Sequence, residues 1–330
     1  MIPRFCISID DIRAAHARIR EYIVRTPAKE FAEIDELVGA TVFFKSENLQ
    51  HVGAFKARGA TNAVMSLDDH TAQRGVATHS SGNHAAALAR AANLRGIPAH
   101  VVMPRNSRPI KLLAVRALGV EPILCEPTAE ARQAAAERVV EETGATMIHP
   151  YDQSEIIAGQ GTAALELTEQ VERLDAVVVP VGGGGLLAGT LIAIKSIWPN
   201  TRVIAAEPAW ADDAFRSWKS GKIEQPTRYD TVADGLRTPL GQYTFPIIRE
   251  FVDDILLVEE SEIEEATGLL KKLSGMVVEP SGAVSFAALR KYAKQFSGQR
   301  IGIVLSGGNM DVSDLGPPDG RDGAKTNTCS

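Results

Sequence analysis

The sequence is poor in cysteine and has no run of basic residues. Its 330 residues include three cysteines, and Cys6, Cys125 and Cys329 lie too far apart for a disulfide framework or a cysteine-based metal site. The formal net charge is −6 and lysine and arginine are dispersed, so nothing indicates a nucleic acid or an anionic membrane as a partner. The amino end carries no signal-peptide pattern, and we therefore expect a cytoplasmic protein.

Strands and helices alternate along the chain, which is typical of a doubly wound α/β fold. The length of 330 residues and the hydrophobic content of 45% allow more than one core, and we expect two α/β domains. Residues 1–67 and 151–330 are predicted to form a large discontinuous domain, and residues 68–150 a small one. Residues 316–330 are rich in glycine, proline and polar residues, which predicts a disordered tail.

Hydrophobic periodicity also predicts individual elements. We expect strands at 41–45, 75–78, 99–103, 121–124 and 202–206, and helices at 10–23, 85–94, 110–118 and 129–143. Residues 176–194 carry no charge and have roughly the length of a membrane span. Pro180 and four glycines within this run favour a strand, a turn and a helix instead.

The four glycines Gly182–Gly185 stand at the predicted turn between that strand and that helix. Glycine lets backbone N–H groups converge on an anion at the positive end of a helix, so the turn predicts a phosphate site without basic side chains. The turn also satisfies a dinucleotide-binding fingerprint through Gly183, Gly185 and Ala188. Glu207 follows about where a ribose-binding acid belongs. A nicotinamide cofactor is therefore an open alternative.

Lys56 follows a predicted strand and a turn of small residues, and it begins a predicted helix. A lysine at the start of a helix is usually a solvated surface charge. Here Phe55 and the small neighbours would take the ammonium group out of water, and a desolvated lysine has a lowered pKa and can form a Schiff base with an aldehyde. Lys56 is therefore the main catalytic candidate.

Two further polar turns follow predicted strands. Ser80 and Asn83 precede a helix, where free N–H groups and the helix dipole favour a carboxylate; the alternative is that either residue is only an N-cap. Ser306 ends a buried type of strand and can hydrogen-bond a ring nitrogen, with turn chemistry as the alternative. An aldehyde, a phosphate and a ring nitrogen together describe pyridoxal phosphate.

These segments resemble the fold type II pyridoxal-phosphate enzymes, which have a tryptophan synthase β-subunit-like fold. Within them the resemblance is to the serine and threonine ammonia-lyases and serine racemase, and it extends from Ile9 to Val312. The matching motifs are Ser-Glu-Asn-Leu-Gln at 46–50, Gly-Ala-Phe-Lys-Ala-Arg-Gly-Ala at 53–60, Ser-Ser-Gly-Asn-His at 80–84, the glycines at 182–185, Glu-Pro-Ser-Gly at 279–282 and Ser-Gly-Gly-Asn at 306–309.

The resemblance implies roles for the residues that match the motifs. Around the cofactor these are Lys56 as the Schiff-base lysine, Phe55 beside the ring, Asn83 at the 3′ oxygen, Gly182, Gly183, Gly184 and Gly185 around the phosphate, and Ser306 at the pyridine nitrogen. Around the substrate they are Ser80, Asn83 and His84 at the carboxylate. Arg132 and Arg237 are candidates for charge on the substrate side, with an ordinary surface position as the alternative.

The neutral Ser306 has a chemical consequence. A hydroxyl at the pyridine nitrogen leaves the ring a weaker electron sink than an aspartate would, which favours β-elimination over transamination. The resemblance therefore implies conversion of a small β-hydroxy amino acid such as L-threonine or L-serine to a 2-keto acid and ammonia. We also expect a homodimer.

Two residues leave the activity open. Ala54 stands where many relatives carry serine, and alanine also occurs there in relatives that act on 3-hydroxyaspartate. Ser81 matches the serine that, in the racemase, faces the cofactor on the side opposite the lysine. Racemisation of serine or aspartate, dehydration of 3-hydroxyaspartate or of a hydroxyectoine-pathway intermediate, and noncatalytic binding of pyridoxal phosphate or an amino acid stay alternatives.

A second site is indicated directly after the strand at 202–206. The carboxylates of Glu207 and Asp213, with the carbonyl of Ala211 between them, offer hard oxygen ligands to Mg²⁺ or Ca²⁺. Acidic pairs on loops are mostly only solvated. The resemblance nevertheless implies a divalent cation here, because serine racemase and several metal-activated ammonia-lyases use this set of ligands at this spacing.

Overall fold

The computed structural model describes residues 5–310, so the predicted disordered tail at 316–330 lies outside the described range. The helices are α1 Ile9–Ile19, α2 Ala32–Val38, α3 Lys56–Ser66, α4 Asp69–Gln73, α5 Asn83–Arg95, α6 Pro109–Arg116, α7 Ala129–Thr143, α8 Ser154–Gln170, α9 Gly185–Ile197, α10 Asp213–Ser220, α11 Thr244–Phe251, α12 Glu260–Ser274 and α13 Pro280–Lys291. The strands are β1 Ala28–Lys29, β2 Thr41–Ser46, β3 Val76–His79, β4 Ala99–Pro104, β5 Ile123–Cys125, β6 Thr146–Met147, β7 Ala176–Pro180, β8 Arg202–Pro208, β9 Asp254–Val258 and β10 Arg300–Leu305.

The strands form two separate sheets. The six-stranded sheet has the order β1-β2-β10-β7-β8-β9, in which β1 runs antiparallel to β2 and all other neighbours are parallel. The second sheet has the order β5-β4-β3-β6 and is entirely parallel. The predicted α/β fold class, with parallel sheets, is confirmed. The domain limits at residues 68 and 150 stay a prediction.

Helices cover both faces of the six-stranded sheet. On one face α1, α8, α9 and α11 pack with Val177 and Val179, and on the other α2, α12 and α13 pack with Ala176 and Val178. Because both sides of β7 are buried, the strand carries apolar residues without alternation. The uncharged run 176–194 is thus a strand, a turn and a helix, as predicted. No helix within residues 5–310 is long and apolar enough to cross a membrane.

Helix α7 has the predicted bounds, whereas α1 ends earlier than predicted. Ser8 is the N-cap of α1 and forms a capping box with the first turn. The helix stops at Ile19 although the sequence pattern continues to residue 23. A tight turn follows, in which the Tyr22 N–H donates to the Ile19 carbonyl at 2.8 Å. Beyond it Gln50 holds the chain, because its Oε1 accepts from the Val24 N–H at 2.9 Å and its Nε2 donates to the Val24 carbonyl at 2.7 Å. These two hydrogen bonds take the Val24 backbone away from a helical ladder.

The parallel strands β2, β10 and β7 are consecutive neighbours and end at the same edge of the large sheet. The loop to Lys56 follows β2, Ser306 follows β10, and Gly182–Gly185 follow β7. The fold therefore brings three predicted cofactor segments side by side at the carboxyl edge, where open α/β sheets bind ligands.

Candidate active site

The segment that leads to Lys56, residues 47–55 or the lysine loop, is paired with the turn that contains Ser306. The Phe55 N–H donates to the Ser306 carbonyl at 3.0 Å, and the Gly308 N–H donates to the Gly53 carbonyl at 2.9 Å. Helix α3 begins at Lys56 itself. Two predicted site residues, distant in sequence, are thus fixed relative to each other by main-chain hydrogen bonds.

Lys56 is partly buried, and no carboxylate within residues 5–310 forms an ion pair with it. Its Nζ donates to the Pro150 carbonyl at 2.7 Å and lies 5.0 Å from the centre of the Phe55 ring. Loss of water lowers the pKa of Lys56 from 10.5 to about 8. The amine is therefore neutral in a substantial fraction of molecules at mildly alkaline pH, which suits a nucleophile or a proton acceptor.

The glycine turn has the geometry of an anion site. Gly184 adopts a left-handed conformation with φ 88°, and α9 begins at Gly185 without a side-chain cap. Among the described residues, the N–H groups of Gly182, Gly183 and Gly184 have no hydrogen-bond acceptor. A Cβ on Gly183 would lie 2.3 Å from Cγ of the Tyr151 ring. Uncapped N–H groups at a helix start, next to an aromatic ring, fit a phosphate.

The asparagine loop, residues 80–83 after β3, does not use its polar side chains as helix caps. The N-cap of α5 is Gly82, without a side-chain cap, so the alternative that Ser80 or Asn83 is an N-cap is wrong. Ser80 Oγ accepts from the Gly82 N–H at 3.3 Å. Asn83 is the first residue of the helix. Ser81 is exposed and makes no side-chain hydrogen bond to any residue in 5–310.

Three histidines, His79, His84 and His149, lie around the lysine, and burial keeps them neutral. His84 is 1% exposed, its Nε2 lies 3.4 Å from the Ile148 carbonyl, and its Nδ1 has no partner in the part of the chain that the structure describes. Burial, and then Lys56, lower the pKa of His84 well below 6.5. Burial, and then His79, lower the pKa of His149 to about 4. The charge around Lys56 is therefore low.

His149 and Tyr151 were missed at the sequence level. His149 Nδ1 accepts from the Tyr151 N–H at 3.2 Å and from the Asp152 N–H at 2.8 Å, and the two rings stand edge to face at 4.6 Å. Both residues follow β6. His149 is near enough to Lys56 for the lysine charge to affect its pKa, and the Tyr151 ring lies against Gly183 of the glycine turn. Their position directly after a parallel strand was a signal that could have found them.

Ser306 and Arg132 are both held by long side-chain contacts with main-chain carbonyls. Ser306 is 5% exposed, and its Oγ has one long contact of 3.5 Å, to the Ser281 carbonyl, so turn chemistry does not occupy it. Arg132, on α7, contacts the Thr128 carbonyl at 3.3 Å. Its charge lowers the pKa of His79, after the larger effect of burial. Arg132 is therefore near the histidines that surround Lys56.

Arg237 and Glu207 form hydrogen bonds that do not match two of their predicted roles, as a charge on the substrate side and as a ribose-binding acid. The Arg237 guanidinium donates hydrogen bonds to the Thr231 carbonyl. Arg237 therefore stabilises the loop before it. Glu207 is 1% exposed, and its carboxylate accepts from the N–H groups of Ala214 at 2.8 Å and Phe215 at 2.9 Å. At this burial Glu207 is out of reach of a ribose, which removes the support for the nicotinamide alternative.

The acidic turn contains two buried carboxylates. Burial, and then the neighbouring Asp213, raise the pKa of Glu207 well above 4.5, and burial raises the pKa of Asp213 to about 7. Asp213 Oδ2 is buried and has no partner within residues 5–310. No group of three His, Cys, Asp or Glu side chains in that range is arranged to hold a metal ion. A cation here would depend on two carboxylates, the Ala211 carbonyl and water.

A family model described as pyridoxal-phosphate dependent enzyme matches residues 19–307. The chain belongs to this pyridoxal-phosphate dependent family. The match covers the lysine loop, the asparagine loop, the glycine turn and Ser306, and it confirms the resemblance found in the sequence.

Relatives of this pyridoxal-phosphate enzyme carry different activity names. The chain is 49% identical over 306 residues to a beta-hydroxyaspartate dehydratase of Paracoccus denitrificans (strain Pd 1222), covering 93% of this chain and 97% of that one. It is 46% identical over 319 residues to the serine racemase of Dictyostelium discoideum, covering 96% and 98%. A solved threonine deaminase from T.th. is 44% identical with a TM-score of 0.89, covering 92% and 99%. The shared fold is fold type II.

The glycine turn yields a test of the cofactor site. Gly183→Ala places a methyl group against the Tyr151 ring, so we expect at least about a tenfold loss of affinity for pyridoxal phosphate, equal to about 1.4 kcal/mol. The matched control is Gly268→Ala, where no atom lies within 4 Å of the added Cβ. Titration followed by the absorbance of bound cofactor measures both. Equal affinities in the two variants would contradict the assignment of the turn.

Proposed function

We propose that this enzyme catalyses β-elimination from a small β-hydroxy amino acid, releasing a 2-keto acid and ammonia. The observation that carries the proposal is Lys56, a partly buried lysine whose pKa falls to about 8 and whose Nζ is held by a carbonyl. Such an amine can both bind an aldehyde and exchange a proton near neutral pH. The neutral Ser306 supports elimination over transamination.

The residues present fit pyridoxal phosphate. The uncapped N–H groups of Gly182–Gly185 suit its phosphate, Ser306 Oγ suits its ring nitrogen, and Lys56 suits its aldehyde. Asn83 would bind the 3′ oxygen, and Phe55 would pack beside the ring. When bound, pyridoxal phosphate supplies an electron sink that acidifies the Cα–H bond of an amino acid.

The remaining steps belong to side chains and main-chain groups of this protein. N–H groups and side chains of Ser80, Asn83 and His84 bind the substrate carboxylate at the start of α5, where the helix dipole favours negative charge. Lys56 Nζ takes the Cα proton on its own side of the substrate, and that proton leaves with the β-hydroxyl as water when the Cβ–O bond breaks. Water then hydrolyses the unsaturated product to the 2-keto acid and ammonia. The neutral histidines around Lys56 keep the site apolar enough for the lysine to lose that proton again.

Arg132 and Ala54 bear on which β-hydroxy amino acid is used. Arg132 places a positive charge next to His79, and a cation there favours a substrate with a second carboxylate. Ala54 is fully buried and its backbone pairs with Gly307. Because its side chain is a methyl group, this position offers no hydroxyl to the site. These features, and a relative named as a beta-hydroxyaspartate dehydratase, support 3-hydroxyaspartate as a candidate beside L-serine and L-threonine.

Racemisation is the second candidate function. Its specific support is Ser81, which is exposed and free of side-chain hydrogen bonds to residues 5–310, together with relatives named as serine racemases. A free hydroxyl on the side opposite Lys56 would return a proton to Cα. The homodimer and the cytoplasmic location stay predictions of the sequence.

Replacing Lys56 tests the proposed chemistry. Lys56→Ala is expected to abolish keto-acid release from every substrate while the protein stays folded, because no other amine replaces Nζ. Lys222→Ala, at a lysine whose side chain is 76% exposed, is the control and should retain full activity. Borohydride reduction of the wild-type holoenzyme and peptide mapping should place the cofactor on the peptide with Lys56. A label on a different lysine would show that the assignment is wrong.

A substrate panel tests the role of Arg132. We expect Arg132→Ala to lower kcat/KM for 3-hydroxyaspartate at least about tenfold more than for L-serine, the size of one charged hydrogen bond. Arg138→Ala, exposed on the same helix, should change neither. The assay is keto-acid release, with chiral analysis of residual substrate in D₂O. Equal losses for both substrates would remove Arg132 from the site, and D-amino acid without keto acid would favour racemisation over elimination.

We further propose that Glu207, Ala211 and Asp213 bind Mg²⁺ or Ca²⁺ outside the reacting centre. The unpartnered Asp213 Oδ2 within the described residues supports this. A cation at about a hundredfold excess over its Kd should stabilise the fold by about 2.7 kcal/mol, and Asp213→Ala should remove the effect. Asp212→Ala, which takes away the adjacent acid, should keep it. A melting temperature that is the same in chelator and in millimolar cation would show that the turn is only solvated.

A further inference from the structure

The turn before Lys56 contains a strained residue. Val52 has φ 54° and ψ 20°, and within residues 5–310 no other non-glycine residue has a positive φ. A β-branched side chain is disfavoured in this left-handed region, so neighbouring contacts must hold Val52 there. Val52 is followed by Gly53, which is also left-handed with φ 65°.

Asn309 is the side chain that holds this turn. Its Nδ2 donates to the Val52 carbonyl at 2.6 Å. A Cβ on Gly53 would lie 2.3 Å from Asn309 Oδ1, so the side chain occupies the space that this glycine leaves. The left-handed turn and the Asn309 amide are therefore complementary in shape and in hydrogen bonding.

The same amide contacts the asparagine loop. Asn309 Nδ2 also donates to Asn83 Oδ1 at 3.0 Å, and its two N–H groups allow both bonds at once. Asn83 Nδ2 in turn donates to Glu279 Oε1 at 2.5 Å. Glu279 is 3% exposed and is also 3.7 Å from Lys111 Nζ through its other oxygen.

The direction of this chain of hydrogen bonds is fixed at one end. The Val52 carbonyl can only accept, so Asn309 must turn its NH₂ group toward it. Asn83 must then present its oxygen to Asn309, which leaves its NH₂ group on the side of Glu279. A single main-chain carbonyl in the lysine loop thus sets the orientation of the Asn83 amide.

We propose that Asn309 is a positioning residue that couples the strained Val52 turn before Lys56 to the orientation of the Asn83 amide. The inference rests on the proposed function in one respect, namely that Asn83 contacts the cofactor. Asn309 acts through Val52 and Asn83, so it sets the relative placement of the lysine loop and the asparagine loop.

The first experiment uses thermal melting of the apoprotein and needs no activity. Asn309→Ala should lower the melting temperature by a few degrees. Val52→Gly removes the strain that Asn309 holds, so the loss caused by Asn309→Ala should be clearly smaller in the Val52→Gly background. The control is Asn48→Ala, whose Nδ2 donates to the Val277 carbonyl at 3.1 Å near the same turn. Its effect should be the same in both backgrounds. Equal losses for Asn309→Ala in both backgrounds would overturn the coupling to Val52.

The second experiment reads the Asn83 amide in the holoenzyme. Asn309→Ala should shift the absorbance spectrum of the bound cofactor in the same direction as Asn83→Ala, and lower kcat at least about tenfold, equal to about 1.4 kcal/mol, with KM changed less than about threefold. Asn309→Asp should be worse than Asn309→Ala, because the introduced carboxylate faces two oxygens. Asn48→Ala should leave the spectrum unchanged. An unchanged spectrum in Asn309→Ala would overturn the proposal. A wild type without lyase activity but with the apoprotein coupling intact would overturn the proposed function alone.

Discussion

A fully buried group of four charges anchors the helix that begins at Lys56. The Arg58 guanidinium contacts Glu47 at 2.7 Å and Glu166 at 2.8 Å, and Lys45 Nζ lies 2.6 Å from Glu166. All four side chains are at most 1% exposed, and two cations balance two anions. Because removal of one partner would leave an uncompensated buried charge, this network cannot loosen in parts. It ties the end of β2 and the start of α3 to α8.

Helix α8 also fixes the position of the glycine turn. A Cβ on Gly159 would lie 2.6 Å from the Gly59 Cα, and a Cβ on Gly189 would lie 2.6 Å from the Gly161 N. Glycine at these positions lets α3 and α9 approach α8 main chain to main chain. Since α3 begins at the lysine and α9 begins at the glycine turn, one rigid helix sets the distance between the two ends of the proposed cofactor site.

The site is built where segments of the two sheets meet. Asn83 begins a helix after β3 of the smaller sheet, and its partners Glu279 and Asn309 belong to segments of the larger one. Lys111, on α6, reaches Asp234 at 2.6 Å across the same boundary. Burial, partly opposed by Lys111, raises the pKa of Glu279 to about 7. These contacts beside the site are polar, whereas Val64 of α3 and Leu88 of α5 belong to a buried apolar cluster that also joins the two parts.

The fold class, most strand positions and the residues in short contiguous motifs could be predicted from the chain without its structure. Lys56, Gly182–Gly185 and Ser306 were predicted as site residues because each follows an apolar strand, and the geometry of a parallel sheet then requires them to lie at one edge. How these segments are held could not be predicted. Local capping rules failed at Ser80 and Asn83, and Asn309 and Asn83 are 226 positions apart, as Arg58 and Glu166 are 108 apart. Whether such groups form hydrogen bonds depends on which helices pack together. The local periodicity of the sequence does not say which helices these are. The lowered pKa of Lys56 has the same origin, because the water around an amine is removed by surfaces from several elements at once.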